Sequence, residues 1–144
     1  MDIVQPISVT ASTLTVTKRN HAGGIVVINA AAGSTATLPA SDGSGARYEF
    51  IIGTTVTSNS VIVKVANASD VMAGVAIFSS DNAADATISF ETAASSDTIT
   101  MNGSTTGGIK GDRIILTDVA ANLWHVQIVA AATGSEVTPF SATV

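Results

Sequence analysis

Cysteine is absent from this 144-residue chain, histidine occurs only twice, and aromatic residues make up 4% of it. The missing thiols remove disulfides, cysteine nucleophiles and cysteine-held metals together. Two histidines leave little room for a metal centre or for acid–base chemistry. Charged residues amount to 12%, about half of the usual ~25%, so the surface must be built of hydroxyls, amides and small side chains. Six scattered lysines and arginines against eleven acids, a formal net charge of −5, give no electrostatic footprint for nucleic acid or for an acidic membrane. No apolar run approaches the about 18 residues of a membrane helix. The opening MDIVQPISVT, with an early aspartate and no basic flank, does not read as a secretory signal.

What is present is small and apolar. Hydrophobic residues reach 46%, chiefly alanine and valine interleaved with serine and threonine, and the length suits one domain with a real core. The dominant rhythm is two. Tyr48, Phe50 and Ile52 fall on one side of Arg47 and Glu49; Val61, Val63 and Val65 oppose Lys64; Ile99 and Met101 alternate with Thr98 and Thr100; Trp124, Val126 and Ile128 alternate with Leu123, His125 and Gln127. Such alternation marks half-buried β-strands, and valine, isoleucine and threonine suit a pleated surface. Turn clusters such as Ala32–Ser34, Ser41–Gly45, Thr57–Asn59, Ser80–Asn82 and Ala120–Asn122 punctuate these runs at the spacing of a sandwich or barrel. No window carries a helical stripe. The alanine-rich pieces Ala30–Ala32 and Ala83–Ala84 read as connections with at most one helical turn. A loose similarity between segments reads as hairpins rather than a solenoid period. The expectation is an all-β fold: a single-domain antiparallel β-sandwich or barrel, jelly-roll-like, with short arms at the termini. Residues 1–12 form an arm or edge strand, residues 13–144 the β-domain, and TPFSATV at the other end is an arm or an edge strand.

Chemistry is hard to find. His21 lies in a turn, and His125 lies on the strand face opposite Trp124; both read as structural or surface residues. No G-x-S-x-G elbow supports a serine triad, and the acids are spread singly rather than paired for glycoside hydrolysis. Asp81 and Asp85 bracket a loop, a spacing open to calcium, but no EF-hand or nonapeptide repeat accompanies them. A small hydrolase is therefore a remote reading, and no catalytic residue, cofactor or metal is expected.

One stretch, Met101–Asp112 (MNGSTTGGIKGD), nearly spells a phosphate-binding loop. Gly103 and Gly108 have the Walker A separation, but Ile109 occupies the lysine position, Lys110 comes one residue late and Gly111 replaces the hydroxyl. The segment that follows, Asp112–Leu116, is a strand pattern, whereas phosphate sites draw their positive field from a following helix. Asn102-Gly103 is moreover a favoured tight-turn pair. The expectation is a connection between strands.

Several segments, taken in order, resemble a known class of protein. They are Thr37–Ala40 with Gly43–Gly45 and the aromatic strand, Ile52–Asn59, Val65–Gly74, Ser96–Gly108, Trp124–Val126 and Gly134–Phe140. Together, over roughly residues 35–142, the chain resembles small virion structural proteins of tailed bacteriophages, of the head decoration (capsid cement) type. The resemblance implies a non-enzymatic homotrimer on the outer surface of the capsid, straddling subunits of the major capsid protein and stabilising the head, with neither nucleic acid nor membrane as a partner. A low-charge surface suits such burial, because an unpaired buried charge is expensive. Asp2, Ile3, Val4, Gln5, Pro6, Ile7 and Val9 are the expected capsid contacts, as an extended segment able to add a strand to a neighbouring sheet. The alternative is a head-fibre or tail-associated module that binds host-surface glycans, which usually requires exposed aromatics; the alternation instead assigns Trp124 and Tyr48 to the core.

Overall fold

The computed structural model of the chain describes residues 5–82 and 86–144. It is a sandwich of two β-sheets. The strands are β1 (Ile7–Val9), β2 (Thr13–Thr15), β3 (Ile25–Ile28), β4 (Ser34–Thr37), β5 (Arg47–Ile52), β6 (Val61–Lys64), β7 (Val71–Ser80), β8 (Thr87–Glu91), β9 (Thr98–Met101), β10 (Arg113–Ala120), β11 (Leu123–Ala132) and β12 (Phe140–Ser141). The larger sheet has the order β1-β3-β5-β10-β11-β7-β8, the smaller β12-β9-β6-β4-β2.

The expected alternation is borne out. Tyr48, Phe50, Ile52, Val61, Val63, Ile99, Met101, Trp124, Val126 and Ile128 all point between the sheets and are buried. Small residues fill the same layer, and Tyr48 meets Trp124 edge to face with ring centroids 5.6 Å apart, a favoured aromatic geometry.

Strand direction departs from the antiparallel expectation. Five pairings are parallel: β1 with β3, β3 with β5, β2 with β4, β4 with β6, and β7 with β11. From β1 to β6 the chain crosses to the other sheet after every strand and returns alongside its previous pass. The first half is thus a three-turn parallel coil, where hairpins were expected. A period of two states which face a residue occupies and says nothing of strand direction. Hairpin pairings appear only later, at β10–β11, joined by two residues, and at β7–β8, joined by six. Among the described residues the one helical turn is α1 (Lys18–His21), capped by the Thr17 hydroxyl accepting from the Asn20 N–H; the Ala30–Ala32 piece forms a turn.

The C-terminal segment is not a free arm. Phe140 is buried on β12 against β9, and the Thr143 and Val144 N–H groups both donate to the Asp97 carboxylate.

Candidate functional site

The glycine stretch between β9 and β10 forms a cradle of backbone amides. Gly103, Gly107, Gly108 and Gly111 all have positive φ, between 80° and 100°, and turn the loop so that its amides converge. They converge on a carboxylate of the same chain. Gly108 and Ile109 donate N–H bonds of 2.8 and 2.9 Å to Asp112 Oδ2, and Ala131 donates at 2.8 Å to Oδ1. Asn102 organises the other half, its Oδ1 accepting from the Ser104 and Thr106 N–H groups. A concavity of backbone amides binds anions; here the anion is built in. The stretch connects β9 to β10, as expected.

Asp112 is one of four buried aspartates that hold loops this way. The Asp118 carboxylate accepts from the Asp42, Gly43 and Ser44 N–H groups and from the Ser44 hydroxyl, at 2.7–3.2 Å. Asp97 secures the C-terminal residues, and Asp70 Oδ2 accepts from the Ser41 N–H at 2.9 Å. Burial by itself raises a carboxyl pKa, and at Asp112 it prevails over the three amide bonds. At Asp118 burial is outweighed by the Ser44 hydroxyl and the Gly43 and Asp42 amides, which hold the carboxyl well below the usual range. Burial is likewise outweighed at Asp97, whose bonds from Thr143, Thr98 and Val144 lower its pKa. These acids are consumed by architecture.

The histidines are no more available. His21 is buried, its Nδ1 accepting from the Thr17 N–H at 2.9 Å, while His125 is exposed on β11 with no acid partner among the described residues. No group of three His, Cys, Asp or Glu side chains able to hold a metal occurs among the described residues. Asp81 donates no such group; its Oδ1 accepts from the Gly134 N–H, and Asp85 lies outside the described residues.

The surface that stands out is the outward face of the seven-stranded sheet. One row across it reads Val27, Ile51, Arg113, Val129, Ile77, Ser89; the next reads Ile25, Glu49, Ile115, Gln127, Val75, Glu91. Val129 is 53% exposed, Ile77 43% and Val75 42%. Near the middle one carboxylate serves two arginines: Arg113 Nε lies 2.7 Å from Glu49 Oε1, and Arg47 lies 3.9 Å from the same carboxylate, so the cluster carries one net positive charge. A shallow depression of about 390 Å³ opens between Arg47, Arg113, Ile115, Gln127, Val129 and Gly111. Single exposed apolar residues are ordinary, but a contiguous patch marks an interaction site.

The chain matches no family model, no curated protein and no solved structure. Its own surface is therefore the guide to its function.

The seven residues expected as capsid contacts divide. Asp2, Ile3 and Val4 lie outside the described residues. Gln5 and Pro6 are exposed, Ile7 is half-buried and Val9 is buried in the core. Ile7–Val9 pair with β3 as the edge of the larger sheet, so any free arm ends at Pro6. The outward apolar face went unrecognised in sequence, although a signal existed. Val71-Met72-Ala73-Gly74-Val75-Ala76-Ile77-Phe78 has no polar residue, and a strand apolar on both faces shows no alternation.

Proposed function

We propose that this chain is a non-enzymatic capsid decoration protein that binds the outer surface of a major-capsid-protein lattice as an oligomer and stabilises the head. The observation that carries the reading is the outward face of the seven-stranded sheet, where valine and isoleucine on five strands surround a few charges, Arg47 and Arg113 paired with Glu49. That face suits a protein partner, since it desolvates cheaply. Gln5 and Pro6 are exposed where the chain enters the edge of the same sheet, so an N-terminal arm and the face would engage one partner together. Oligomeric presentation, as a trimer in the resemblance, makes each further contact intramolecular and raises avidity without enlarging any interface. Binding only the assembled shell stabilises it by mass action.

The glycan-binding alternative gains nothing from the aromatic side chains: Trp124, Tyr48, Phe50, Phe78 and Phe140 are all buried, and Phe90 is half-buried. The test is capsid binding by Ile77→Lys and Val129→Lys proteins, mixed with heads that lack the decoration and pelleted together. Both positions point outward, so folding should survive while binding falls at least tenfold. Binding unchanged in both variants would remove this face from the reading. A second sample lacking residues 1–6, which keeps β1 whole, is expected to bind more weakly; full binding assigns the attachment to the sheet face alone.

A further inference from the structure

Four strands form the edges of the two sheets, and three of them are blunted. β1 has three residues directly after Pro6, β12 has two residues directly after Pro139, and β2 has three residues. Shortness and proline are the usual protections of an edge, whose open N–H and C=O groups otherwise pair with another chain. β8, Thr87-Ile88-Ser89-Phe90-Glu91, has five residues, contains no proline or lysine, and pairs with β7 in unbroken register.

The orientation of its backbone follows from the bonds at its two ends. Ser80 N–H donates to Ala86 O, and Thr92 N–H donates to Gly74 O. In an antiparallel ladder the bonded pairs alternate, so residues 86, 88, 90 and 92 face β7. The N–H and C=O groups of Thr87, Ser89 and Glu91 therefore face the open edge. Their side chains point outward and are exposed, while Ile88 and Phe90 are only half-buried on the inner side, Phe90 edge to face with Phe78 at 5.7 Å.

The geometry points to β8 as a self-pairing edge, occupied by β8 of a second copy of this chain in antiparallel register centred on Ser89. That register is self-complementary. Ser89 faces Ser89 and Thr87 faces Glu91 in bonded pairs, using all six open backbone groups of each strand. Ile88 meets Phe90 across the non-bonded positions, where side chains approach more closely, and this covers the two half-buried side chains. Glu91, the only charge on the strand, meets a threonine rather than its own copy. A self-complementary contact of this kind is twofold and joins the two seven-stranded sheets into one. A threefold assembly would use a different, heterologous surface, and β8 would then link such assemblies in pairs. The pairing does not depend on capsid binding.

The chain lacks cysteine, so Ser89→Cys introduces a single thiol. Directly opposite residues in a bonded antiparallel pair have Cα atoms about 5.5 Å apart, inside the range of a disulfide. Mild oxidation of the purified Ser89→Cys protein should give a covalent pair on a non-reducing denaturing gel. Thr13→Cys, on the edge of the other sheet, should give none under the same conditions. In parallel, Ser89→Lys sets like charges opposite each other and should halve the native mass measured by light scattering. Ser89→Pro should do the same, because it removes an edge-facing N–H and no bond to β7. Cross-linking of Ser89→Cys no faster than Thr13→Cys, or a native mass unchanged in Ser89→Lys, overturns the inference. The Val129→Lys protein separates the two readings: it alters the outward face two strands away from the β8 edge, so it should keep the native mass of the unaltered protein while losing capsid binding.

Discussion

Asp118 shows how a single side chain substitutes for secondary structure in this protein. Its carboxylate collects three backbone N–H groups and one hydroxyl from Asp42–Ser44, a loop more than seventy positions earlier in the chain. Hydrogen bonds to a charged group contribute about 1.5–3 kcal/mol, so Asp118→Ala should lower unfolding free energy by roughly that amount in a urea titration. The pH dependence has a definite sign. Asp118 and Asp97 titrate below their unfolded values; the unfolded chain then binds more protons on acidification, and their stabilisation is lost as pH falls below the ordinary carboxylate range. Asp112, held above its ordinary value by burial, contributes in the opposite sense and partly offsets them. Melting temperature followed downward from neutral pH should therefore decline, and Asp118→Asn should flatten that decline. An unchanged slope in the variant would show that Asp118 does not titrate as its cradle requires. In sequence these four aspartates were merely scattered acids, because nothing local tells a carboxylate which distant amides it will meet.

Among the elements, the loop from Asn102 to Asp112 is the most legible. Its departures from the phosphate-loop pattern, and the strand after it, identify it as a β9–β10 connection, and that is its place in the fold. Gly103 has φ +88°, and a side chain there would run into the Val56 carbonyl. Left-handed backbone costs a non-glycine residue about 1–2 kcal/mol, before any overlap is counted. Gly103→Ala should destabilise by more than that figure; a loss below about 0.5 kcal/mol would mean that the loop can rearrange freely. What sequence did not disclose is the counter-charge inside the turn. Equally hidden were β7 and β8. Val71–Phe78 is apolar on both faces, so the alternation that exposes β5 or β11 vanishes there, and the strand is recognisable only once its neighbours are in place.

At the scale of the whole molecule, the two sheets differ in what they present to solvent. The smaller sheet turns outward a set of hydroxyls, Thr13, Thr15, Thr35, Thr37 and Thr100 among them, interrupted by Ile62 and Lys64. The larger sheet turns outward valine and isoleucine around one cluster of two arginines and a shared glutamate. This asymmetry motivates the lysine substitutions at Ile77 and Val129, whose expected effect is on binding with little on folding, since exposed substitutions usually change stability by less than about 0.5 kcal/mol. The open edge at β8 belongs to the larger sheet as well, so its pairing with a second copy would double the width of the apolar face.

Sequence by itself determined the β class, the inward face of the alternating strands, the main turns and the failure of the glycine loop as a nucleotide site. Each of these depends on steric and hydrophobic preferences that act within a few residues. Tertiary structure alone decided that the first half coils in parallel, that N-terminal residues 7–9 join the larger sheet, that four carboxylates are spent on loops, and that one sheet face is left apolar. Those outcomes depend on which segments meet across tens of residues, and a period of two is the same whichever neighbour a strand finds.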